Sequence, residues 1–262
     1  MAKFPQIRVD ASSVVVVAAA IGAISLISTG NPQPRALLGT APATAQQPQV
    51  PSSPSVVGRR IIATMQAKGY VIDPVLNIVG VSGMNLDGTT NDNRLGPWND
   101  LIVVAKPNGD VMHIARGTTE PDPHFVQKTI NRLGAAFLAF GQYRDAYQIG
   151  IHSGLSGSSN AHEALIQVAP IMVNRDSNGN GIRDAKDLVL SQGPREAGLN
   201  WHRASPDGPL PAISRYSAGC VVTNDPREFR HFLQVIKSHP GYQQNRLYRY
   251  TVTLLNGQEV KP

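Results

Sequence analysis

Cys220 is the only cysteine in the 262-residue chain, and it lies in the run Ser217-Ala218-Gly219-Cys220-Val221-Val222. A thiol just after a glycine and before two β-branched residues reads as a nucleophile on a turn that enters a strand. The glycine permits a tight backbone, so the successive amides of Ala218, Gly219 and Cys220 can aim at a developing oxyanion. Upstream, His202 ends the run Gly198-Leu199-Asn200-Trp201-His202, with fourteen residues between it and Ser217. A thiol and an imidazole suffice for acyl transfer, because the imidazole takes the thiol proton and later hands it to the leaving amine. The competing reading is a small buried core residue, which is how most free cysteines behave.

Other side chains add to this pair. Arg203 and Arg215 flank the two motifs and can meet a substrate carboxylate, although such residues are more often solvated surface charges. His152, in Gly150-Ile151-His152-Ser153, ends another expected strand and can line the same cleft or serve structure alone. His113, His124, His162, His231 and His239 show no paired spacing that reads as a metal site. A second motif is independent of the first. Asp176, Asn178, Asn180, Gly181, Ile182, Asp184 and Asp187 occupy positions one, three, five, six, seven, nine and twelve of an oxygen-ligand loop. That spacing suits structural calcium, with glycine at the sharp turn and the Ile182 carbonyl as a ligand. Against it stand a short Asp at position twelve, the charges of Arg183 and Lys186, and the frequency of metal-free Asn-Gly turns.

These groups must be positioned by a folded domain. Lys3 and Arg8 precede an apolar run from Val14 to Ile27, the pattern of an export signal over residues 1–30. Removal and retention as an N-terminal membrane anchor both stay open. Residues 31–54 are rich in Pro, Ala, Thr, Gln and Ser and read as a disordered tether. Residues 55–262 then form one catalytic domain, long enough to bury a core without disulfides. In it the sequence predicts helices over 57–68, 124–138 and from Pro226. It predicts strands over 75–81, 101–106, 111–115, 147–152, 164–173, 199–202, 220–223 and 246–255. Strands outweigh helices without βαβ alternation, so the expected fold class is mainly β (α+β) with a few covering helices. The net charge of +6 is scattered and aromatics make up 6%, which argues against nucleic acid as a partner. Nothing in the sequence sets the oligomeric state.

The motif resembles that of the L,D-transpeptidases. That family carries a histidine, an intervening stretch of comparable length, then Ser or Thr, His, Gly, Cys, a hydrophobic residue and usually Asn or Arg. Here His202, Ser217, Gly219, Cys220 and Val221 match, whereas Ala218 and Val222 stand at the second histidine and the polar position. The resemblance extends to a bacterial and phage branch that reads Ser-Ala-Gly-Cys. It includes Asn77-Ile78-Val79-Gly80-Val81, Trp98-Asn99-Asp100, Thr118-Thr119-Glu120-Pro121, Ala139-Phe140-Gly141-Gln142-Tyr143 and Ala164-Leu165-Ile166-Gln167-Val168. It implies a β-sandwich or barrel domain, exported to the periplasm or cell wall, acting on peptidoglycan stem peptides through a Cys220 thioester with His202 as base. It also implies an oxyanion hole from the Ala218, Gly219 and Cys220 amides, with Ser217 ordering the turn or the histidine. Catalysis of this kind needs no cofactor. A hydrolase with the same site and a non-catalytic envelope-binding module remain as alternatives.

Overall fold

The computed structural model describes residues 52–153 and 161–261. The export signal lies outside the described residues, as does the tether up to residue 51. Among the described residues no helix is long and apolar enough to cross a membrane. The chain runs α1 (Pro54–Ala67), β1 (Asn77–Ser82), β2 (Asp100–Ala105), β3 (Val111–Thr118), α2 (Pro123–Gln127), β4 (Ala135–Leu138) and β5 (Gly141–His152). It continues with β6 (His162–Gln167), β7 (Ile171–Asp176), β8 (Leu188–Gln192), β9 (Trp201–Arg203), β10 (Val221–Thr223), α3 (Pro226–Lys237), α4 (Pro240–Gln244) and β11 (Arg249–Asn256).

Eight strands close into a barrel in the order β1-β11-β5-β6-β9-β10-β3-β2, and β4-β7-β8 form a separate three-stranded sheet. The fold is mainly β, with few helices. Pairing is parallel for β1 with β11 and for β9 with β10. β1 and β2 are buried at every position because both of their faces are covered. Ile78, Ile102 and Val104 join the core with Tyr147, Trp201 and Val252, while Val79, Val81, Leu101 and Val103 pack beneath Val57, Ile61 and Met65 of α1. Burial of this extent on both faces explains why these two strands read as continuous apolar runs. The helix expected from Pro226 forms as α3, with the Asp225 carboxylate accepting from the Arg227 amide and Phe229, Phe232, Leu233 and Ile236 turned inward.

Four expectations need correction. The helix expected over 124–138 stops at Gln127, and Gly134 at φ 106° turns the chain into β4, whose four residues are all buried. A side chain at Gly134 would stand 2.0 Å from the Asp176 carbonyl oxygen, so the apolar segment Ala135–Leu138 is held extended against β7. The single strand expected over 164–173 is two strands in two sheets, because Pro170 between them has no N–H for a ladder. The last strand begins at Arg249, not 246, since Leu247 is exposed and its amide bonds the Asn245 side chain. The tether expected to reach residue 54 gives way to α1 at Pro54, a proline at the first helical position. β8 and α4 were not anticipated; Leu188 and Val189 of β8 are exposed, which leaves no buried face for a pattern to report.

Candidate functional site

The parallel pairing of β9 with β10 sets His202 opposite Val222 and Trp201 opposite Val221. One step back along both strands, the Val221 amide donates to the Asn200 carbonyl at 2.9 Å, which sets Cys220 beside Asn200. Side chains alternate between strand faces, so Trp201 and Val221 enter the core while Asn200, His202, Cys220 and Val222 share the opposite face. Strand spacing and rise put the Cys220 and His202 backbones roughly 8 Å apart on that face. Both side chains line one cavity of about 750 Å³, together with His152, Arg203, Arg215 and Ala218. Ser217 and Gly219 lie beneath this group in the turn that presents the thiol.

That turn is tightly built. Gly219 adopts φ 126°, and a Cβ there would stand 2.4 Å from the Ala136 carbonyl oxygen on β4. Only glycine satisfies both constraints. Fully buried Ser217 donates its hydroxyl to the Cys220 carbonyl at 2.7 Å and accepts from the Gly219 amide at 3.2 Å. Ser217 therefore orders the turn. The same bond corrects the oxyanion reading, because the Gly219 amide is already engaged. The Ala218 and Cys220 amides donate to no other group among the described residues. Ser214 and Arg215, at φ 51° and 67°, are consecutive non-glycine residues in the left-handed region on the cavity wall. Such conformations cost on the order of 1–3 kcal/mol each and gather where the surroundings dictate geometry.

Cys220 is 8% exposed, and burial pushes its thiol up to about 11. The Asn200 amide, 3.4 Å from Sγ, acts in the opposite sense because it solvates a thiolate. At rest the thiol itself faces the Gly198 carbonyl at 3.7 Å. His202 is 3% exposed and is driven well below the ordinary imidazole range, by burial first and then by His152. Its Nδ1 lies 2.7 Å from the Arg203 carbonyl, an acceptor only, so Nδ1 carries the proton and Nε2 keeps its lone pair. The resting pair is thus a neutral thiol and a neutral imidazole in the tautomer a base requires.

Sequence reasoning missed part of this constellation. His162 pairs with His152 across β5 and β6, and the His152 ring stacks on His202 with centroids 4.0 Å apart. Asn200 joins them, its Nδ2 standing 3.0 Å from His152 Nδ1. Strand alternation from His202 would have placed Asn200 on the site face. Arg203 donates to the Ala204 carbonyl, and Arg215 is exposed at the rim; neither has an ion-pair partner among the described residues.

The acidic loop lies apart from this cavity. Asp176 accepts from the Asn180 amide at 3.1 Å and the Gly181 amide at 2.8 Å, and Gly181 has φ 74°. Asn178 and Asn180 accept from the Asn180 and Ile182 amides, and Asn180 Nδ2 donates to Asp184. Asp187 takes the Asp184 amide on Oδ2, while its buried Oδ1 has no hydrogen-bond partner among the described residues. An orphaned carboxylate oxygen fits a hard cation held with the Asn side chains and the Ile182 carbonyl. The carboxylates of Asp176, Asp184 and Asp187 do not by themselves converge within 4.8 Å of one another. Comparison of the chain with protein-family models and with curated proteins returned no match.

Proposed function

We propose that this chain is an exported cysteine acyl-transfer enzyme of the L,D-transpeptidase type, acting on peptidoglycan stem peptides. The observation that carries the reading is the common face of β9 and β10. It turns Cys220 and His202 into one cavity, with His202 Nε2 unprotonated and, on the wall, two arginines that have no ion-pair partner among the described residues. In the proposed step the thiol rotates away from the Gly198 carbonyl and gives its proton to His202 Nε2. Sulfur then bonds the substrate carbonyl carbon. The Ala218 and Cys220 amides receive the oxyanion. The carbon–nitrogen bond breaks as His202 returns the proton to the leaving amine, which leaves a thioester on Cys220. An acceptor amine then attacks the thioester, and its proton passes through His202 to the thiolate. Arg203 and Arg215 bind the peptide carboxylate, a role their placement on the cavity wall supports. The reaction uses no cofactor, and calcium in the Asp176–Asp187 loop serves structure only.

A second reading has one observation in its favour. The burial and high pKa of Cys220 suit a packing residue of a non-catalytic envelope-binding module. Incubation with purified muropeptides separates these readings by mass spectrometry. Wild type is expected to yield cross-linked dimers, Cys220→Ala none, and His202→Ala about 10²- to 10⁴-fold less. Shortened monomers would assign hydrolysis, with water taking the thioester. Equal product from wild type and Cys220→Ala would remove the enzyme reading altogether.

A further inference from the structure

Glu228 and His231 are three residues apart on α3, one turn along one face. Facing them from β3 is His113, 2% exposed, whose Nδ1 lies 3.1 Å from His231 Nδ1. One ligand atom from each of His113, Glu228 and His231 falls within 4.8 Å of the other two. Among the described residues this is the only such group of three or more His, Cys, Asp or Glu side chains. We propose that these three side chains bind a divalent transition metal of the zinc class, which pins α3 to β3.

The donor set and the distances both favour this. Two imidazole nitrogens and one carboxylate oxygen suit zinc, with water in the fourth position, and disfavour hard cations that prefer all-oxygen shells. Zinc–nitrogen bonds of about 2.0–2.1 Å at a tetrahedral angle hold two nitrogens roughly 3.3 Å apart. The two rings therefore need to move only a few tenths of an ångström. His113 Nε2 is buried with no hydrogen-bond partner among the described residues, so Nδ1 is the nitrogen that ring offers to α3. The sequence hides the site because 118 residues separate its two histidines. α3 follows β10 directly and packs against β3, β9 and β10, so the metal would hold the helix over the strands that carry His202 and lead from Cys220.

The simpler occupant of this geometry is one shared proton, a His–His hydrogen bond that gives Glu228 no part. Titration of the chelator-stripped, full-length protein with Zn²⁺ in excess calcium, and with Co²⁺ followed by visible absorption, decides between them. Wild type is expected to bind one equivalent of zinc with a rise in thermal midpoint, and to give the absorption of a four-coordinate cobalt site. Glu228 and His231 are exposed, so their alanine variants should fold. Each should lose at least the roughly tenfold to hundredfold in affinity that removal of even an outer-sphere partner costs a metal site. Cys220→Ala should bind as wild type does, which separates this site from the catalytic proposal. No saturable zinc binding by wild type, or equal binding by Glu228→Ala and His231→Ala, would overturn the assignment in favour of the hydrogen bond.

Discussion

Asn200 Nδ2 stands 3.0 Å from His152 Nδ1, and the opposite end of the same carboxamide accepts from the Gln167 amide at 2.9 Å. The backbone donor fixes which way Asn200 points, and Asn200 in turn requires a lone pair on His152 Nδ1. His152 is therefore neutral, and burial, His162 and Arg203 lower its pKa to about 4. The neutral ring stacks on His202 and keeps a positive charge away from that imidazole.

Stability should fall in mild acid as a result. An unfolded imidazole titrates near ~6.5, so between that pH and about 4 the unfolded chain binds protons that folded His152 refuses. Burial moves His202 in the same direction. The contribution is complete above ~6.5, declines as pH drops toward 4, and is gone below. Thermal midpoints measured from pH 7 to pH 4 should show this decline, with a shallower slope in His152→Asn. Asn200→Asp should move the His152 resonance titration up from about 4, because a carboxylate favours the imidazolium. A midpoint independent of pH over this interval would contradict the account.

The labelling behaviour of Cys220 follows from its burial. With the thiol pushed up to about 11, no thiolate–imidazolium pair exists at rest. Iodoacetamide alkylation should be slow at pH 7 and should rise about tenfold per pH unit until the thiol titrates. His202→Ala should leave that slope unchanged, since Sγ bonds the Asn200 amide and the Gly198 carbonyl at rest, while the proposed acyl transfer falls. A rate already level near neutral pH would mean that the pair ionises without substrate.

Much of this arrangement was legible where one local rule governs. The Asp225–Pro226 cap and the apolar face of α3 are written in consecutive residues, and α3 forms as expected. The Gly-Cys-Val-Val run likewise gave a turn into a strand, now seen as Gly219 at φ 126° ahead of β10. What could not be read are relations between segments. Ala135–Leu138 has the composition of a helix, and its pairing with Asn174 and Val173 on β7 decides otherwise. His162 meets His202, and His113 meets His231, only when β9 joins β6 and α3 packs on β3. The engagement of the Gly219 amide by Ser217 is a matter of one hydroxyl rotamer, which spacing does not encode.

Arg183 should prove to be among the least replaceable charges. Its guanidinium bonds the Glu120 carboxylate, the Thr119 carbonyl at 2.8 Å and the Leu138 carbonyl at 3.0 Å, with Phe137 and Phe140 against its faces. The Arg183 and Glu120 side chains are 6% and 4% exposed. Arg183 lowers Glu120 to about 2, while burial and Glu120 raise Asp100 well above the carboxylate range. Arg183→Ala should therefore cost about 3–5 kcal/mol in urea unfolding, the penalty of a buried charge left alone. The double variant Arg183→Met, Glu120→Gln should recover part of that loss. Equal loss in the single and double variants would show that the cost lies in packing and not in the stranded carboxylate.

Arg183 also sits at position eight of the Asp176–Asp187 loop, so whatever fixes the loop fixes this ion pair. Burial raises the Asp187 carboxyl, and Asp184 and Asp176 add to the shift by repulsion. The loop thus gathers negative charge around one oxygen, Oδ1, that has no hydrogen-bond partner among the described residues. A bound calcium ion removes the repulsion and the unpaired acceptor together, whereas a metal-free loop must bear both. Binding to the folded chain alone stabilises it by about 2.7 kcal/mol at a hundredfold excess over Kd. For a domain of this size that amounts to a rise of very roughly 5–10 °C in thermal midpoint. Calcium should raise the wild-type midpoint by this order and chelation should reverse it, while Asp187→Ala and Asn178→Ala should lose the response. Magnesium, which resists dehydration and demands a tighter octahedron, should give much less. If calcium and chelator leave the wild-type midpoint the same, the loop is held by its own amide bonds to Asp176, Asn178 and Asn180, and Arg183 is positioned without help from a metal.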